Sequence, residues 1–394
     1  MTPLFRKFLG MNWFMVVNMY ALIAFGIVAI YSAGWMKEEA SLVNAWNRQI
    51  IWVVIGTVIF FVSSLIDYQW VSWGGFPLYI AGIVLSLLAL IGGDSVHGHE
   101  SWLQIGPVRF QPSQIAVAGT ILLVALLLGP VHTFHPIFRN PFVKLGLAGG
   151  ACMFPFGIVL AQGDFGSAMV FLPVAAAMIL VGNIPFRYIA VVTLLGLSVV
   201  PWAFFFGLEP HQKARITVFI DMLAGKPVDT QGEAYAAHYI IQAVGSGGLT
   251  GKGFLAEKTI NNLGFIPKRT AINDFVFAVV AEEWGFYVTT ALIGAFALLL
   301  IQCLFVALYS RDTVGRLICA GVAGLFFAHV FQHVGMNLLI MPITGIPLPF
   351  ISYGGTFLLI CMFLCGMAQS IWVHRGGTNQ RIASAGPSLG TFRY

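Results

Sequence analysis

Gly264-Phe-Ile-Pro-Lys-Arg-Thr-Ala-Ile-Asn-Asp-Phe-Val-Phe-Ala-Val-Val-Ala-Glu-Glu-Trp-Gly-Phe286 joins a polar loop to an apolar run that continues to Tyr309. Lys268 and Arg269 lie in the loop, and Asp274 stands at the seam, in the first turn of the helix that the run predicts. A carboxylate there is favoured by the helix dipole and by unpaired backbone N–H groups. Glu282 and Glu283 follow inside the apolar run, where acids are costly and serve as functional candidates. At about 1.5 Å per residue, 274–309 is longer than a single ~30 Å crossing needs. Its first part, ending near Gly285, therefore reads as a separate half-helix or a helix dipping from the surface.

The rest of the chain follows from that apolar character. Of its 394 residues, 58% are hydrophobic and 9% charged, against about 25% charged in soluble proteins. Continuous apolar runs of about 20 residues point to helices rather than alternating strands. The fold class expected is an all-α integral membrane protein of about ten transmembrane helices. The spans are 12–34, 47–66, 71–92, 111–129, 145–162, 165–183, 187–207, 274–309, 314–341 and 350–373, with a long, partly structured extracytoplasmic loop, 208–273, between helices 7 and 8. Residues 1–375 form one polytopic domain, and 376–394, rich in Gly, Ser, Thr and Arg, a flexible cytoplasmic tail. The first apolar run is too long for a signal peptide and reads as an uncleaved helix. An even number of spans puts both termini on one side. That side carries Arg6, Lys7, Arg139, Lys144, Arg187, Arg311, Arg316, Arg375, Arg381 and Arg393, against only Asp67 and Asp312. The positive-inside rule makes it the cytoplasm. The basic balance thus reflects topology and implies no nucleic acid. Cys152, Cys303, Cys319, Cys361 and Cys365 all lie in apolar runs, with neither disulfide nor metal spacing.

Several polar groups stand out. Gly245-Ser-Gly-Gly-Leu-Thr-Gly-Lys-Gly253 fails the phosphate-loop pattern at Ser246 and Gly253. It reads either as a surface turn or as backbone amides, with Lys252, facing a diphosphate. His329 and His333 share a helix face without the zinc-protease Glu, which favours a satisfied polar pair. His97 and His99 fall in a short outer loop. Asp164 follows a tight turn at the start of span six, placed to cap it and to line a cavity. Gly345-Ile-Pro-Leu-Pro349, running to Ser352-Tyr-Gly-Gly355, is a stiff stretch. It serves as a helix-entry turn or as the wall of an outward-facing cavity.

Together these blocks resemble the SEDS family (shape, elongation, division and sporulation proteins), over nearly the whole chain. The carrying residues are Asp274-Phe-Val-Phe-Ala-Val279 with Ala281-Glu-Glu-Trp-Gly-Phe286, Gln111-Pro-Ser113, Asp164-Phe-Gly166, Gly245 to Gly253, and Gly345 to Gly355. The Ala281–Gly285 detail is similar to the rod-shape branch more than the division branch. The resemblance implies ten transmembrane helices in the bacterial cytoplasmic (inner) membrane, with the catalytic face extracytoplasmic. It implies a peptidoglycan glycosyltransferase acting on lipid II, an undecaprenyl-diphosphate-linked disaccharide peptide, beside a class B penicillin-binding protein, with the aspartate matching Asp274 essential. The sequence departs from the family pattern at Ser101 (usually Arg), Gln114 (Glu) and Val117 (Lys), and in the longer, more basic Pro267–Asp274 segment. Asp164 is thereby left without the family's nearby Lys, and either Arg109 substitutes for it or Asp164 is protonated.

In this reading Asp274 is the general base, ionised at neutral pH and kept charged by Lys268 and Arg269. Lys252, Arg215 and Lys268 face the departing diphosphate, a divalent cation (Mg or Mn) being a further carrier of that charge. Arg269, Asp164, Glu282, Glu283, Ser352 and Tyr353 complete the substrate-binding candidates. The competing readings are a lipid II flippase, a non-catalytic scaffold for a penicillin-binding protein, and a division-type role.

Overall fold

The computed structural model describes residues 3–35, 39–92, 94–96, 99–106, 108–129, 136–182, 184–191, 194, 210–229, 232 and 234–376. Helices dominate. In chain order they are α1 (Trp13–Gly34), α2 (Ala45–Leu65), α3 (Gly75–Gly92), α4 (Pro112–Leu128), α5 (Pro141–Ala161), α6 (Phe165–Val181), α7 (Pro210–Leu223), α8 (Tyr235–Ser246), α9 (Val276–Leu308), α10 (Thr313–Asn337) and α11 (Gly355–Val373). Seven of these are long and apolar enough to cross a membrane, and α4 and α6 are shorter apolar helices. They account for nine of the ten expected spans. The seventh, 187–207, enters as helix over residues 186–191 and otherwise lies outside the described residues, as does most of the tail.

Side-chain oxygens start four of the helices. Asn12 accepts from Met15 N (3.2 Å), Asn140 from Phe142 N (2.9 Å), Asp164 from Ser167 N (3.0 Å) and Asp312 from Gly315 N (2.8 Å), each satisfying an orphan donor of a first turn. α10 is the central helix, packed against α4, α6, α9 and α11. The outer surface of α2 is apolar instead, with Ile51, Val54, Val58 and Val62 exposed at helical spacing, as a lipid-facing stripe requires.

Small residues let backbones touch. A side chain on Gly26 of α1 would begin 2.2 Å from the carbonyl oxygen of Phe350 and 2.8 Å from Ile351 Cα. Those contacts are backbone and cannot swing away. Gly26→Ala is therefore expected to push α1 off the 350–351 turn and destabilise the fold by about 1–3 kcal/mol, read as a lowered midpoint in thermal unfolding of the detergent-solubilised protein.

Both ends of the bundle are tied. Near the termini, Asn12 and Gln369 exchange two hydrogen bonds (3.0 and 2.9 Å). Nearby, Arg311 Nη2 donates to both Asp67 oxygens at 2.9 Å and its Nε to Tyr68 Oη at 3.1 Å. At the other end a three-stranded antiparallel sheet, β1 (Asp94–Val96), β2 (His99–Ile105) and β3 (Val108–Phe110), turns at Gly106 (φ +60°). The sequence reading placed only a loop there. His99 opens β2, and His97 lies outside the described residues.

Candidate active site

The long helix α9 is two helices. Gly285 breaks it with φ +71° and ψ −170°, a conformation that favours glycine. A break at membrane depth leaves carbonyls without intrahelical partners. The glycine-rich loop supplies them: Lys252 N donates to Glu282 O (3.0 Å) and Gly253 N to Glu283 O (2.9 Å). In return, Phe286 N donates to Gly248 O (2.9 Å) and Tyr287 N to Leu249 O (3.2 Å). A Cβ on Gly251 would lie 2.1 Å from Glu283 O.

The two acids hold the same joint. Glu282, fully buried, accepts from Lys252 Nζ at 2.6 Å and from Ile260 N at 2.8 Å. Glu283, 2% exposed, accepts from the Ser32 hydroxyl of α1. Lys252, Glu282 and Glu283, read in the sequence as substrate-binding groups, therefore clamp the loop to the half-helix. Two of the glycine-loop amides are likewise engaged by backbone carbonyls, not facing a diphosphate.

Asp274 lies just before the half-helix, outside the membrane-spanning segment, and is half-buried. Its Oδ2 is 3.6 Å from where a side chain on Gly345 would begin, so the stiff loop after α10 passes directly over it. Burial pushes its carboxyl up to about 7, the charge of Asp164 adds to the rise, and Arg215 on α7 opposes it. The sequence reading of an ordinary, fully ionised aspartate is corrected accordingly. Its cationic neighbour is Arg215, not the adjacent Lys268 and Arg269. Arg269 instead pairs with exposed Glu39 at 3.4 Å, and Lys268 also acts on Glu39.

Asp164 caps α6 and accepts from Gln111 Nε2. Gln111 Nε2 also donates to Ser167 Oγ (3.0 Å), and its Oε1 accepts from Gln114 Nε2 (3.5 Å). Arg109 donates to Gln104 (3.2 Å); the partner of Asp164 is an amide. Val117 packs in the core and Ser101 is buried. The neutral residues at 114 and 117 are therefore buried in the bundle, Gln114 linked to Asp164 through Gln111. A side chain on Gly166 would begin 2.5 Å from Thr344 O, so the start of α6 abuts the same loop that covers Asp274. A narrow cleft of about 20 Å³, lined by Phe165, Arg215, Ile216, Pro342, Ile343 and Thr344, lies here.

Ser352 and Tyr353, read in the sequence as substrate-binding groups, lie in the turn before α11. Ser352 is 3% exposed and donates to Asn273 O (2.6 Å) while accepting from Leu348 N (2.8 Å). Tyr353 N donates to Ile272 O (2.9 Å), and its ring lies 5.7 Å from the Arg48 guanidinium. His329 and His333 bond Pro347 O (3.1 Å) and Ile346 O (2.8 Å) through Nδ1, as a structural polar pair does. Among the described residues no three His, Cys, Asp or Glu gather as metal ligands. Sequence reasoning quoted Gln111 only as part of a motif and missed Ser32 and Asn337; the available signal was a polar residue within an apolar helix.

A family model described as a cell cycle protein, that of FtsW, RodA and SpoVE, matches residues 12–376. The chain belongs to the FtsW/RodA/SpoVE family. The Escherichia coli K12 peptidoglycan glycosyltransferase MrdB is 32% identical over 92% of this chain and 93% of its own length. The Treponema pallidum peptidoglycan glycosyltransferase RodA is 28% identical over 91% and 97%. Among solved structures, a peptidoglycan synthase complex that coordinates polymerization and crosslinking superposes with TM-score 0.73 at 27% identity, covering 93% of this chain and 98% of the matched one. Thermus thermophilus RodA superposes with TM-score 0.64 at 26% identity, covering 93% and 97%. These FtsW/RodA/SpoVE relatives include both the rod-shape and the division names, and the match runs through every element that seats Asp274.

Proposed function

We propose that this chain is a peptidoglycan glycosyltransferase that polymerises lipid II at the extracytoplasmic face of the bacterial cytoplasmic membrane, with both termini in the cytoplasm and a role in elongation and cell shape. The observation that carries the reading is Asp274. A carboxyl raised to about 7 by burial and by Asp164 is a far better proton acceptor than a surface aspartate near pH 4. A sugar hydroxyl of the acceptor attacks the anomeric carbon of the donor. The bond to the diphosphate oxygen breaks, the hydroxyl proton passes to Asp274, and the diphosphate leaves with its charge. Arg215 lines the cleft beside Asp274 and is the cation placed to meet that charge. A divalent cation, Mg or Mn, arriving with the diphosphate would share the load. The class B penicillin-binding protein expected as partner is supported by the likeness to a complex that joins polymerization to crosslinking.

The substrate's polyprenyl tail needs an apolar path. A cleft of about 320 Å³ runs between α8, the glycine-rich loop and α9, lined by Phe277, Ala281, Gly285 and Ile293 among others. The test is to give the purified full chain and its transpeptidase partner lipid II and to resolve glycan chains on a gel. A ladder is the expected result. Transbilayer movement of labelled lipid II without a ladder would mean a flippase instead, and neither would mean a scaffold. Within the same assay, Arg215→Ala is expected to lower kcat/KM by about 10²-fold, with Arg215→Lys intermediate because a point charge replaces the bidentate fork.

A further inference from the structure

The backbone that carries Asp274 is held in an unusual way. α9 begins only at Val276, so the carbonyls of residues 272, 273 and 274 have no intrahelical donor. Each is met from elsewhere. Tyr353 N donates to Ile272 O at 2.9 Å, Ser352 Oγ to Asn273 O at 2.6 Å, and Asn337 Nδ2 to Asp274 O at 3.1 Å. Three consecutive carbonyls are therefore gripped by two separate segments, the last residue of α10 and the turn before α11.

The two side chains in this set suit no other task. Asn337 is fully buried, and its Nδ2 also donates to His333 O at 2.7 Å. With a carbonyl oxygen at both contacts, only the amide NH2 fits there. The Ser352 hydroxyl accepts from Leu348 N, which directs its one proton to Asn273. Leu348 belongs to the loop whose Gly345 lies over the Asp274 carboxylate. Ser352 thus ties the roof of the site to the strand beneath it. The turn is strained as well: Phe350 holds φ +65°, a conformation costly for a bulky side chain and one that persists where its surroundings over-determine it.

We propose that Asn337 and Ser352 are positioning residues that set the placement of the Asp274 carboxylate for proton transfer. The inference rests on the polymerase reading. Removing either donor frees a carbonyl beside Asp274 and lets that segment drift. A misplacement of about 1 Å at a reacting group costs roughly 10²-fold.

The groups facing Asp274 are Asp164 from α6 and Arg215 from α7, with His333 beyond Ile346 on the α10 side; on its own segment Arg269 turns to Glu39. The variants are Asn337→Asp, isosteric but unable to donate when ionised, Ser352→Ala, and the hydroxyl-keeping Ser352→Thr, each in the full chain with its partner. Two measurements are made. One is kcat and KM for lipid II. The other is the pH midpoint at which dicyclohexylcarbodiimide labels protonated Asp274, located by peptide mass spectrometry, which needs no turnover. Asn337→Asp and Ser352→Ala are expected to lose about 10²-fold in kcat with KM changed by less than about threefold. The labelling midpoint of Ser352→Ala should fall by about one pH unit or more as water reaches the carboxyl, whereas the new like charge in Asn337→Asp, next to the Asp274 backbone, should raise it. Ser352→Thr should keep both values. Unchanged kcat and midpoint in folded Asn337→Asp and Ser352→Ala would overturn the proposal. So would equal losses in Ser352→Ala and Ser352→Thr. Should Asn337→Asp fail to fold, the Ser352 pair decides. A wild-type protein that makes no glycan sinks the polymerase reading, and the labelling midpoints still judge the placement.

Discussion

Asp274→Asn is expected to slow lipid II polymerisation by about 10²–10⁴-fold, the usual worth of a general base, measured as glycan chains formed per unit time. The wild-type rate should rise with pH through about 7, because the carboxyl must be deprotonated to accept the hydroxyl proton and its own midpoint lies there. The Asn variant should lose that limb. The stability sign runs the other way from that of a paired surface acid. A carboxyl raised in the folded state binds its proton more tightly there than in the unfolded chain. Its contribution is unpenalised below about pH 4 and turns unfavourable as pH rises toward about 7. Asp274→Asn is therefore expected to unfold at no lower temperature than wild type at pH 8. A clearly lower midpoint there would mean that the carboxylate stabilises the fold, and its role as a base held at some expense of stability would fall.

Lys252→Met should destabilise the protein by about 1–3 kcal/mol, less than a fully buried pair would lose because the Lys252 side chain is partly exposed. Glu282 is fully buried and Lys252 Nζ stands 2.6 Å from it, so the change leaves a carboxylate without its cation. Adding Glu282→Gln removes the stranded charge and should recover much of the loss, as a double-mutant cycle on thermal midpoints would show. A Lys252→Met protein as stable as wild type, yet weak in binding lipid II, would return Lys252 to the substrate site.

Much of the architecture was readable because the bilayer imposes it. Twenty-residue apolar runs mark the spans, and the excess length of 274–309 foretold a division at Gly285. The hairpin of β1–β3 escaped because its strands are three to seven residues long, too brief for a clear alternation to emerge. The site was legible as a set of residues and illegible as a set of contacts. Lys268 and Arg269 precede Asp274 in sequence, but the groups acting on its charge are Asp164 and Arg215, brought in from distant elements. Lys252 stands in a glycine-rich run that reads as an anion cradle. Nothing in its own neighbourhood discloses that Glu282, thirty residues later, sits opposite. Nothing in the sequence around Asn337 discloses that the carbonyl of Asp274, 63 residues earlier, lies beside it.

The interruption at Gly285 has a mechanical corollary. The lower limb of α9, from Phe286 to Leu308, can lean as bilayer thickness varies, the ordinary response of a spanning helix to mismatch. The upper limb is fastened to the glycine-rich strap and to Ser32, and Phe286 and Tyr287 to the same strap, so any lean is taken up beyond Tyr287 and the upper limb does not have to follow. A swivel of that kind would keep the carboxylate at a constant depth in thin and thick membranes alike.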